Sequence, residues 1–425
     1  MMDEATRNYV QEHREEDVRR LALSGGKPTG IDLSFALQQI AGWQTARRKL
    51  PSWAAVEGII YPPHLNMEQC SSEETARYKA KIVSRNLEIS ESRNKDISES
   101  RYLVISESHQ VFVDLTGGFG IDFSFMSRPY KQRIYVERHR KLCEIARHNF
   151  QLLGLEAEIV CGDAEEYLAR MPHANVVFLD PARRDEHGSR TYGIEDCTPN
   201  VLELLSLLKE KADTIILKLS PMLDWRKAVN DLGGVSEVHI VSVDNECKEL
   251  LLVIRHDLPT APLMVCVNGD RSLRIVPNVE TNSFSHGNSQ FLPKRLIVSA
   301  VETIQGLTLL EPNASIMKAG CFKEIEQMFG IQQLSVNSHL FVSDQEVGEF
   351  PGRKFRIDAI TSMNKQELKV VLKDVDRANI SVRNFPMTAE ALRKKLRLKD
   401  GGDVFIFGTT LSDYSHKLFI CRKIG

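Results

Sequence analysis

The stretch Val113-Asp114-Leu115-Thr116-Gly117-Gly118-Phe119-Gly120-Ile121-Asp122 decides the fold of this chain of 425 residues. It runs from an apolar strand through a glycine-rich turn into a helical pattern. Glycines in such a turn let the backbone take positive φ and approach a ligand closely. The stretch therefore predicts a strand, turn and helix with a ligand at the turn. A tight turn without a ligand is the alternative interpretation.

Around this stretch, short apolar runs alternate with helical patterns at 140–153, 163–170 and 199–211. Most runs are apolar on successive residues, as expected where both faces of a sheet are covered. The alternation predicts a parallel sheet with right-handed crossovers. The link DNECK (244–248) is too short for a crossover helix, so the last two strands must be antiparallel. The predicted strands are VFVDL, RIYVE, AEIVC, NVVFLD, TIILKL, EVHIVSV and ELLLVIR.

The remaining patterns divide the chain into further regions. Residues 1–84 have apolar spacings near three and four, which predict a helical N-terminal domain. Residues 85–109 contain ISES three times and predict a polar, low-complexity linker. The α/β domain is expected over 110–256, and the prolines of PTAPL (259–263) mark its end. Beyond them, strands and helices alternate irregularly, which predicts small α+β modules at 260–350, of ferredoxin-like type, and at 351–425.

Composition excludes several classes of protein. Hydrophobic residues make up 42% of the chain and charged residues 26%, with a formal net charge of −2, so no strong whole-protein field would attract nucleic acid. The eight cysteines form no CxxC pair, which disfavours a metal site or a disulfide framework. No apolar run approaches the roughly 20 residues needed to cross a bilayer. We therefore expect a cytoplasmic protein with neither a metal nor a membrane partner.

Acidic residues at three strand ends favour a nucleoside ligand without phosphates. The dinucleotide pattern GxGxxG would require a third glycine where Phe123 stands, so an NAD-dependent oxidoreductase is disfavoured. Asp114 beside the turn suits a ligand with a cationic amino acid and a nucleoside, such as S-adenosylmethionine. Glu137 can accept both ribose hydroxyls, unless it is a surface glutamate. Asp163 can meet the adenine amino group or cap the next helix.

The fourth strand ends in Asp180-Pro181-Ala182-Arg183-Arg184, at the sheet edge where doubly wound folds bind ligands. Asp180 is the candidate that orients an acceptor amine and accepts one N–H bond. The Arg183 guanidinium can stack on a base or hold a phosphate. A salt bridge from Arg183 to Asp185 or Glu186 is the alternative.

The motifs DLTGGFGID, Glu137, GDA and DPARR together resemble a family of bacterial class I S-adenosylmethionine-dependent methyltransferases with a C-terminal THUMP-like domain. More distantly, they resemble RNA guanine-N2 methyltransferases. The segments 68–80 and 383–410 extend the resemblance to both sides of the α/β domain. The resemblance implies a Rossmann-like domain, and substrate-proximal roles for Asp180 and Pro181, with Arg183 as the third candidate catalytic residue. The cofactor-binding candidates are Asp114, Thr116, Gly117, Gly118, Gly120, Asp122, Glu137 and Asp163.

One departure from the related motifs concerns the methylated atom. Enzymes that methylate amines usually have D/N-P-P followed by an aromatic residue, whereas here Pro181 precedes Ala182 and Arg183. The departure leaves the guanine exocyclic amine as one candidate target among others.

The C-terminal region contains a basic cluster near Phe385, which can neutralise phosphates. A solvated helix face is the alternative. The leading hypothesis is a methyltransferase acting on tRNA or rRNA. A non-catalytic RNA-binding protein on this scaffold, and a methyltransferase for a small molecule or a protein, are the alternatives. The candidate RNA-binding residues are Arg383, Arg393, Lys394, Lys395 and Arg397.

Overall fold

The computed structural model describes residues 2–23, 30–97, 110–183, 193–256, 261–276 and 306–424. Side chains are described in these ranges except those of residues 86–97 and of Arg183. The chain divides into two compact units. The first comprises Met1–His239 with Lys248–Pro262, and the second comprises Ile240–Cys247 with Leu263–Gly425.

The N-terminal part of the first unit is helical, as its apolar spacing predicts. Carboxylates begin two of the helices: Asp3 accepts the Thr6 N–H at 2.7 Å, and Asp32 accepts the Phe35 N–H at 3.1 Å. Such caps satisfy donors that a helix leaves unpaired at its start. The helices are α1 (Glu4–His13), α2 (Val18–Leu23), α3 (Leu33–Lys49), α4 (Pro51–Ala54), α5 (His64–Gln69) and α6 (Glu73–Ile97).

Helix α6 extends into the region predicted as a linker. The ISES repeats predicted a polar linker from residue 85, but the helix continues to Ile97. The sequence from 85 to 97 contains neither glycine nor proline, and it is rich in Glu, Arg and Lys, which favour helices. The linker prediction is therefore corrected over 85–97, while residues 98–109 lie outside the described part of the chain.

The α/β part of the first unit follows the predicted alternation of strands and helices. Its elements are β1 (Val111–Asp114), α7 (Ile121–Met126), β2 (Gln132–Glu137), α8 (Arg140–Leu152), β3 (Glu158–Cys161), α9 (Ala164–Arg170), β4 (Ala174–Leu179), β5 (Ala182–Arg183), β6 (Cys197–Thr198), α10 (Val201–Lys211), β7 (Ala212–Leu219), α11 (Trp225–Leu232), β8 (Val235–Val243) and β9 (Glu246–Arg255). A short 3-10 helix, Ile194–Asp196, precedes β6.

Seven of these strands lie in the order β3-β2-β1-β4-β7-β9-β8. Strands β3, β2, β1, β4 and β7 are parallel, and β9 runs antiparallel to β7. Every residue of β1 is buried, as expected for a strand covered on both faces. The structure thus confirms the predicted Rossmann-like sheet with one antiparallel strand, which a helix-free link joins to β8.

The second unit is built mainly on one mixed sheet in the order β13-β14-β12-β15-β18-β17-β16. Phe355, Phe407 and Phe419 are fully buried together in its core. The elements are β10 (Leu263–Asn268), β11 (Arg271–Ile275), β12 (Thr308–Pro312), α12 (Ala314–Ala319), α13 (Phe322–Phe329), β13 (Gln332–Gln333), β14 (Phe341–Ser343), β15 (Gly352–Thr361), α14 (Lys365–Val371), β16 (Asn379–Arg383), α15 (Ala389–Leu396), β17 (Val404–Thr410) and β18 (His416–Ile424).

Several short elements were not predicted from the sequence. Helix α11 has only eight residues, too few for an apolar period to stand out, although its caps leave a signal. Asp224 accepts the backbone N–H of Arg226 at 2.9 Å, and the helix ends before Gly233. Strands β12, β14 and β16 are three to five residues long. Such runs are ambiguous without their tertiary partners.

Candidate active site

Five charged residues lie where the parallel strands of the first unit end. Asp114 ends β1 and Glu137 ends β2, while Asp163 follows β3. Asp180 directly follows β4, and Lys218 is the penultimate residue of β7. All five line one cavity of about 660 Å³, which is within the roughly 300–1,000 Å³ typical of small-ligand pockets. The parallel topology therefore gathers the predicted carboxylates at one edge of the sheet.

The glycine-rich turn is shaped by its contacts with β2. The Gly117 N–H donates to a main-chain carbonyl of β2 at 2.8 Å, and the Gly118 N–H donates to Oε2 of Glu137 at 2.9 Å. Gly118 and Gly120 have φ of +56° and +85°, a region that favours glycine. A Cβ at Gly117 would overlap the Tyr135 ring. The three glycines are therefore required by the geometry of the turn.

Glu137 is held by two main-chain donors. Its Oε2 accepts from Gly118, and its Oε1 accepts from the His139 N–H at 2.8 Å. The residue is only 8% exposed and lines the cavity. Each carboxylate oxygen has a further lone pair, so both oxygens can also accept a hydroxyl of a nucleoside ribose. The sequence alternative of a surface glutamate does not fit this burial.

Asp114 is almost completely buried beneath the turn. Its Oδ1 accepts the Thr116 N–H at 2.9 Å. Burial raises the pKa of Asp114 well above its ordinary value, and this effect outweighs the Thr116 hydrogen bond, which lowers the pKa. A cationic group placed in the cavity would favour the ionised form of this carboxyl. Asp114 therefore suits a positively charged ligand group.

Thr116 links the turn to the end of β4. Its hydroxyl oxygen accepts the Asp180 N–H at 2.6 Å. Since Thr116 also donates its own N–H to Asp114, the predicted cofactor turn and the predicted catalytic loop are joined through one side chain. Thr116 lines the cavity and sets the position of the Asp180 main chain.

Asp163 caps the helix that follows β3. Its Oδ1 accepts the N–H groups of Glu165 at 2.8 Å and of Glu166 at 3.4 Å. Asp163 therefore has the helix-capping role that the sequence left open. Asp163 also lines the cavity, so the cap does not exclude contact with a ligand.

Asp122, predicted to contact the cofactor, belongs to a buried cluster of charges. Its Oδ1 lies 3.1 Å from Nζ of Lys79, and its Oδ2 lies 3.5 Å from Nζ of Lys218. The Ser71 hydroxyl donates to Oδ2 at 2.7 Å. Burial raises the pKa of Asp122, but the two ammonium groups outweigh it and bring the pKa below its ordinary value. Asp122 borders the cavity with its carboxylate committed to these partners.

Asp180 is paired with Lys218 at the edge of the cavity. Its Oδ2 lies 2.6 Å from Nζ of Lys218, and its side chain remains 39% exposed. Burial raises the pKa of Asp180, whereas Lys218 lowers it without cancelling the effect of burial. Pro181 is buried and lines the same cavity. The Arg183 side chain lies outside the described part of the chain.

Three further charged residues, Lys79, Lys218 and Glu249, were not predicted from the sequence. Lys79 is fully buried and donates to Glu249 and, at 3.1 Å, to the Ser71 hydroxyl. Glu249 and Lys218 stand within apolar strands, where an unpaired charge is expensive. A charge within TIILKL and another at the start of ELLLVIR therefore indicated that buried partners had to exist.

The N-terminal helices support the turn and contribute to the cavity. The ring centroid of Trp53 lies 5.0 Å from that of Phe119, in an edge-to-face arrangement. Asn66, Gln69 and Cys70 line the cavity together with the strand-end residues. The site is thus formed by both parts of the first unit.

The basic residues predicted to bind RNA lie in the second unit. Arg383 is 3.2 Å from the buried Glu311, Arg393 is 2.6 Å from Asp400, and Lys394 is 2.8 Å from Glu390. Lys395 and Arg397 are exposed, at the end of α15 and just after it. Arg383 and Arg393 are therefore partly buried and paired with carboxylates, whereas Lys394, whose partner Glu390 is itself exposed, is presented to solvent together with Lys395 and Arg397.

Among the residues that the structure describes, no group of three or more His, Cys, Asp or Glu side chains is placed to hold a metal ion. No helix in the described ranges is both long enough and apolar enough to span a membrane.

Two families match the C-terminal region: a ferredoxin-like domain at residues 309–351 and a THUMP domain-like family at residues 352–423. No curated protein sequence matches the chain. Among solved structures, a candidate methyltransferase from Porphyromonas gingivalis is 29% identical, covers 100% of both chains and has a TM-score of 0.79. Its similarity therefore includes both units and the order of their domains.

Other solved structures are more distant. A candidate class I S-adenosylmethionine-dependent methyltransferase from Listeria monocytogenes is 9% identical, covering 63% of this chain and 94% of its own, with a TM-score of 0.36. A Thermus thermophilus 16S rRNA N2 methyltransferase, solved with AdoMet and guanosine, is 12% identical, covering 35% and 38%, with a TM-score of 0.28. In its strand order, in its full-length similarity to the Porphyromonas gingivalis structure and in its C-terminal match, the chain resembles class I methyltransferases that carry a THUMP-like domain.

Proposed function

We propose that the chain transfers the methyl group of S-adenosylmethionine to a base of RNA. The observation that carries the proposal is the set of strand-end carboxylates that line one cavity, Asp114, Glu137, Asp163 and Asp180. These groups provide acceptors for a cation, a ribose and an amine, and the fold is that of a methyltransferase.

The residues beside the turn fit this cofactor. Gly118 leaves its backbone accessible, because a Cβ there would meet only the Thr116 carbonyl oxygen, 3.8 Å away. Glu137 would accept the ribose hydroxyls, Asp163 the adenine amino group, and Asp114 would face the cationic amino-acid end. When bound, S-adenosylmethionine supplies a methyl group activated by a sulfonium centre.

Asp180 would act on the acceptor. Its carboxylate accepts an N–H of the acceptor nitrogen, which directs the nitrogen lone pair toward the methyl group. After the carbon–nitrogen bond has formed, the same carboxylate takes the proton that the nitrogen releases. The raised pKa of Asp180 suits it to receive a proton.

Two observations support RNA as the acceptor. The THUMP-like match covers residues 352–423, and Lys394, Lys395 and Arg397 within it are exposed. Exposed basic side chains can neutralise phosphates and release counterions, which is the main sequence-independent source of affinity for nucleic acid.

The Asp180→Asn variant tests the catalytic role. We expect it to bind S-adenosylmethionine as the unaltered protein does and to transfer methyl at least about a hundredfold more slowly, since it cannot take the proton. The measurement is tritium transferred to total RNA from cells that lack the protein. Asp213→Asn, at an exposed position of β7, is the control. Cofactor binding without any RNA label in the unaltered protein would redirect the assignment to a small-molecule or protein acceptor.

The Glu137→Gln variant tests the ribose contact. The glutamine amide has one acceptor oxygen where the Glu137 carboxylate has two, so one of the two ribose hydroxyl donors would be left without an acceptor. Leaving that donor unpaired costs about 1–3 kcal/mol, so we expect the Kd for S-adenosylmethionine to rise about 5- to 150-fold. Titration calorimetry measures it, with the exposed Glu144→Gln on α8 as control. An unchanged Kd would exclude Glu137 from the cofactor site.

A further inference from the structure

We propose that Lys218 is a positioning residue for methyl transfer, which holds the Asp180 carboxylate by one oxygen in its ionised form and leaves the other oxygen to the acceptor. Its effect on the rate rests on the proposed function. The pairing itself can be tested without an RNA acceptor.

The geometry fixes Asp180 from two sides. Nζ of Lys218 donates to Oδ2 at 2.6 Å, and the Asp180 N–H donates to the Thr116 hydroxyl at 2.6 Å. Within the described residues, Oδ1 has no hydrogen-bond partner, and 39% of the side chain remains exposed. Asp180 is therefore oriented at its main chain and at one carboxylate oxygen, and Oδ1 is available to a ligand in the cavity.

Lys218 is in turn held by a chain of alternating charges. Its Nζ lies 3.5 Å from Asp122 of α7, which lies 3.1 Å from Lys79 of α6. Lys79 also pairs with Glu249 of β9. Two ammonium groups thus separate three carboxylates, and only the last of these, Asp180, is substantially exposed. This arrangement keeps the ammonium group next to Asp180 rather than turned toward solvent.

The negative charges around Asp180 mean that its carboxylate needs Lys218 to remain ionised. Asp114 of β1, Asp122 and Glu249 are all close enough to disfavour a further negative charge, and burial acts in the same direction. Among the described side chains, Lys218 is the counter-charge in contact with Asp180. Without it the pKa of Asp180 would rise, so the carboxyl would stay protonated to a higher pH. A protonated carboxyl cannot take the proton that methyl transfer releases.

The Lys218→Met variant, with the cofactor bound, tests this inference. Infrared difference spectroscopy follows the protonation of Asp180, whose band is identified by its loss in Asp180→Asn. We expect the midpoint of this titration to rise by about 1–3 pH units in Lys218→Met, as for a carboxylate that loses a contacting cation. The acidic limb of the kcat profile for RNA should move equally. Lys218→Arg, which keeps the charge, should retain a midpoint near that of the unaltered protein.

The outcomes separate this proposal from the proposed function. A raised midpoint in a protein that never labels RNA keeps the pairing and rejects RNA as the acceptor. An unchanged midpoint in folded Lys218→Met overturns the inference. A lower kcat with an unshifted pH profile also overturns the inference, because the loss of a lysine with a purely structural role would have that effect. If Lys218→Met does not fold, Lys218→Gln, which is neutral but still has a donor, gives the same two readings.

Discussion

Replacement of Lys79 by methionine is expected to lower the free energy of unfolding by about 3–5 kcal/mol, the cost of removing one partner from a buried ion pair. Lys79 is fully buried and contacts Asp122, Glu249 and Ser71. Methionine fills a similar volume, so a cavity contributes little. The loss arises because the two carboxylates remain buried without their shared cation.

The measurement for Lys79→Met is urea-induced unfolding followed by circular dichroism. The control is Lys81→Met, two residues further along α6, where the side chain is exposed and the change should be within about 0.5 kcal/mol. Similar losses in the two variants would mean that the cluster contributes no more than a surface charge. Lys79 and Lys81 differ in burial, but they lie in the same helix and receive the same substitution.

Gly120→Ala is expected to destabilise the first unit by about 2–5 kcal/mol, from two separate causes. The residue has φ of +85°, and a side chain in this region costs about 1–2 kcal/mol. The added Cβ would also lie 2.7 and 2.8 Å from ring atoms of Phe150, and overpacking costs about 1–3 kcal/mol. Phe150 stacks on Phe123 with centroids 5.1 Å apart and packs edge-to-face on Tyr135, so its ring has little room to move.

Gly154→Ala separates these two causes. Gly154 also has positive φ, +61°, but a Cβ there would have no atom within 4 Å. The Gly154→Ala variant should lose only the stability that its strained backbone costs, about 1–2 kcal/mol. Unfolding in urea compares the two variants, and calorimetry measures their affinity for S-adenosylmethionine. Equal losses in stability would show that Phe150 yields to the added methyl group and that the turn is less constrained than its contacts indicate.

Gly120→Ala and Lys79→Met alter different parts of the first unit. Gly120 belongs to the turn that would receive the nucleoside, whereas Lys79 lies behind the pair that would handle the acceptor. Loss of cofactor affinity in Gly120→Ala, with the Asp180–Lys218 pair intact, would separate binding from transfer. That result would show that cofactor binding and the environment of Asp180 can be altered independently.

Several site residues could be predicted because the parallel sheet converts sequence position into spatial position. Asp114, Glu137 and Asp180 each directly end or follow an apolar run, and the carboxyl ends of parallel strands meet at one edge. Their convergence on one cavity was therefore implicit in the alternation of strands and helices. Their roles toward a cofactor remain predictions that the proposed variants test.

The basic cluster shows where local pattern was insufficient. Arg383 belongs to a basic stretch in the sequence, yet its guanidinium contacts the buried Glu311, a residue 72 positions away. Lys395 and Arg397, in the same stretch, are exposed. Local sequence reports the charge of a side chain but not the distant carboxylate that neutralises it.

By itself, the sequence determined the parallel strands of the sheet, the glycine turn and the carboxylates at the strand ends, because each depends on local conformation and hydrophobic pattern. Only the tertiary structure decided that Lys79, Asp122, Lys218 and Glu249 meet, since helices and strands far apart in the chain bring these charges together. A buried charge is tolerated only beside a counter-charge, and that partner is selected by packing. The environment of Asp180 is therefore a property of the folded chain.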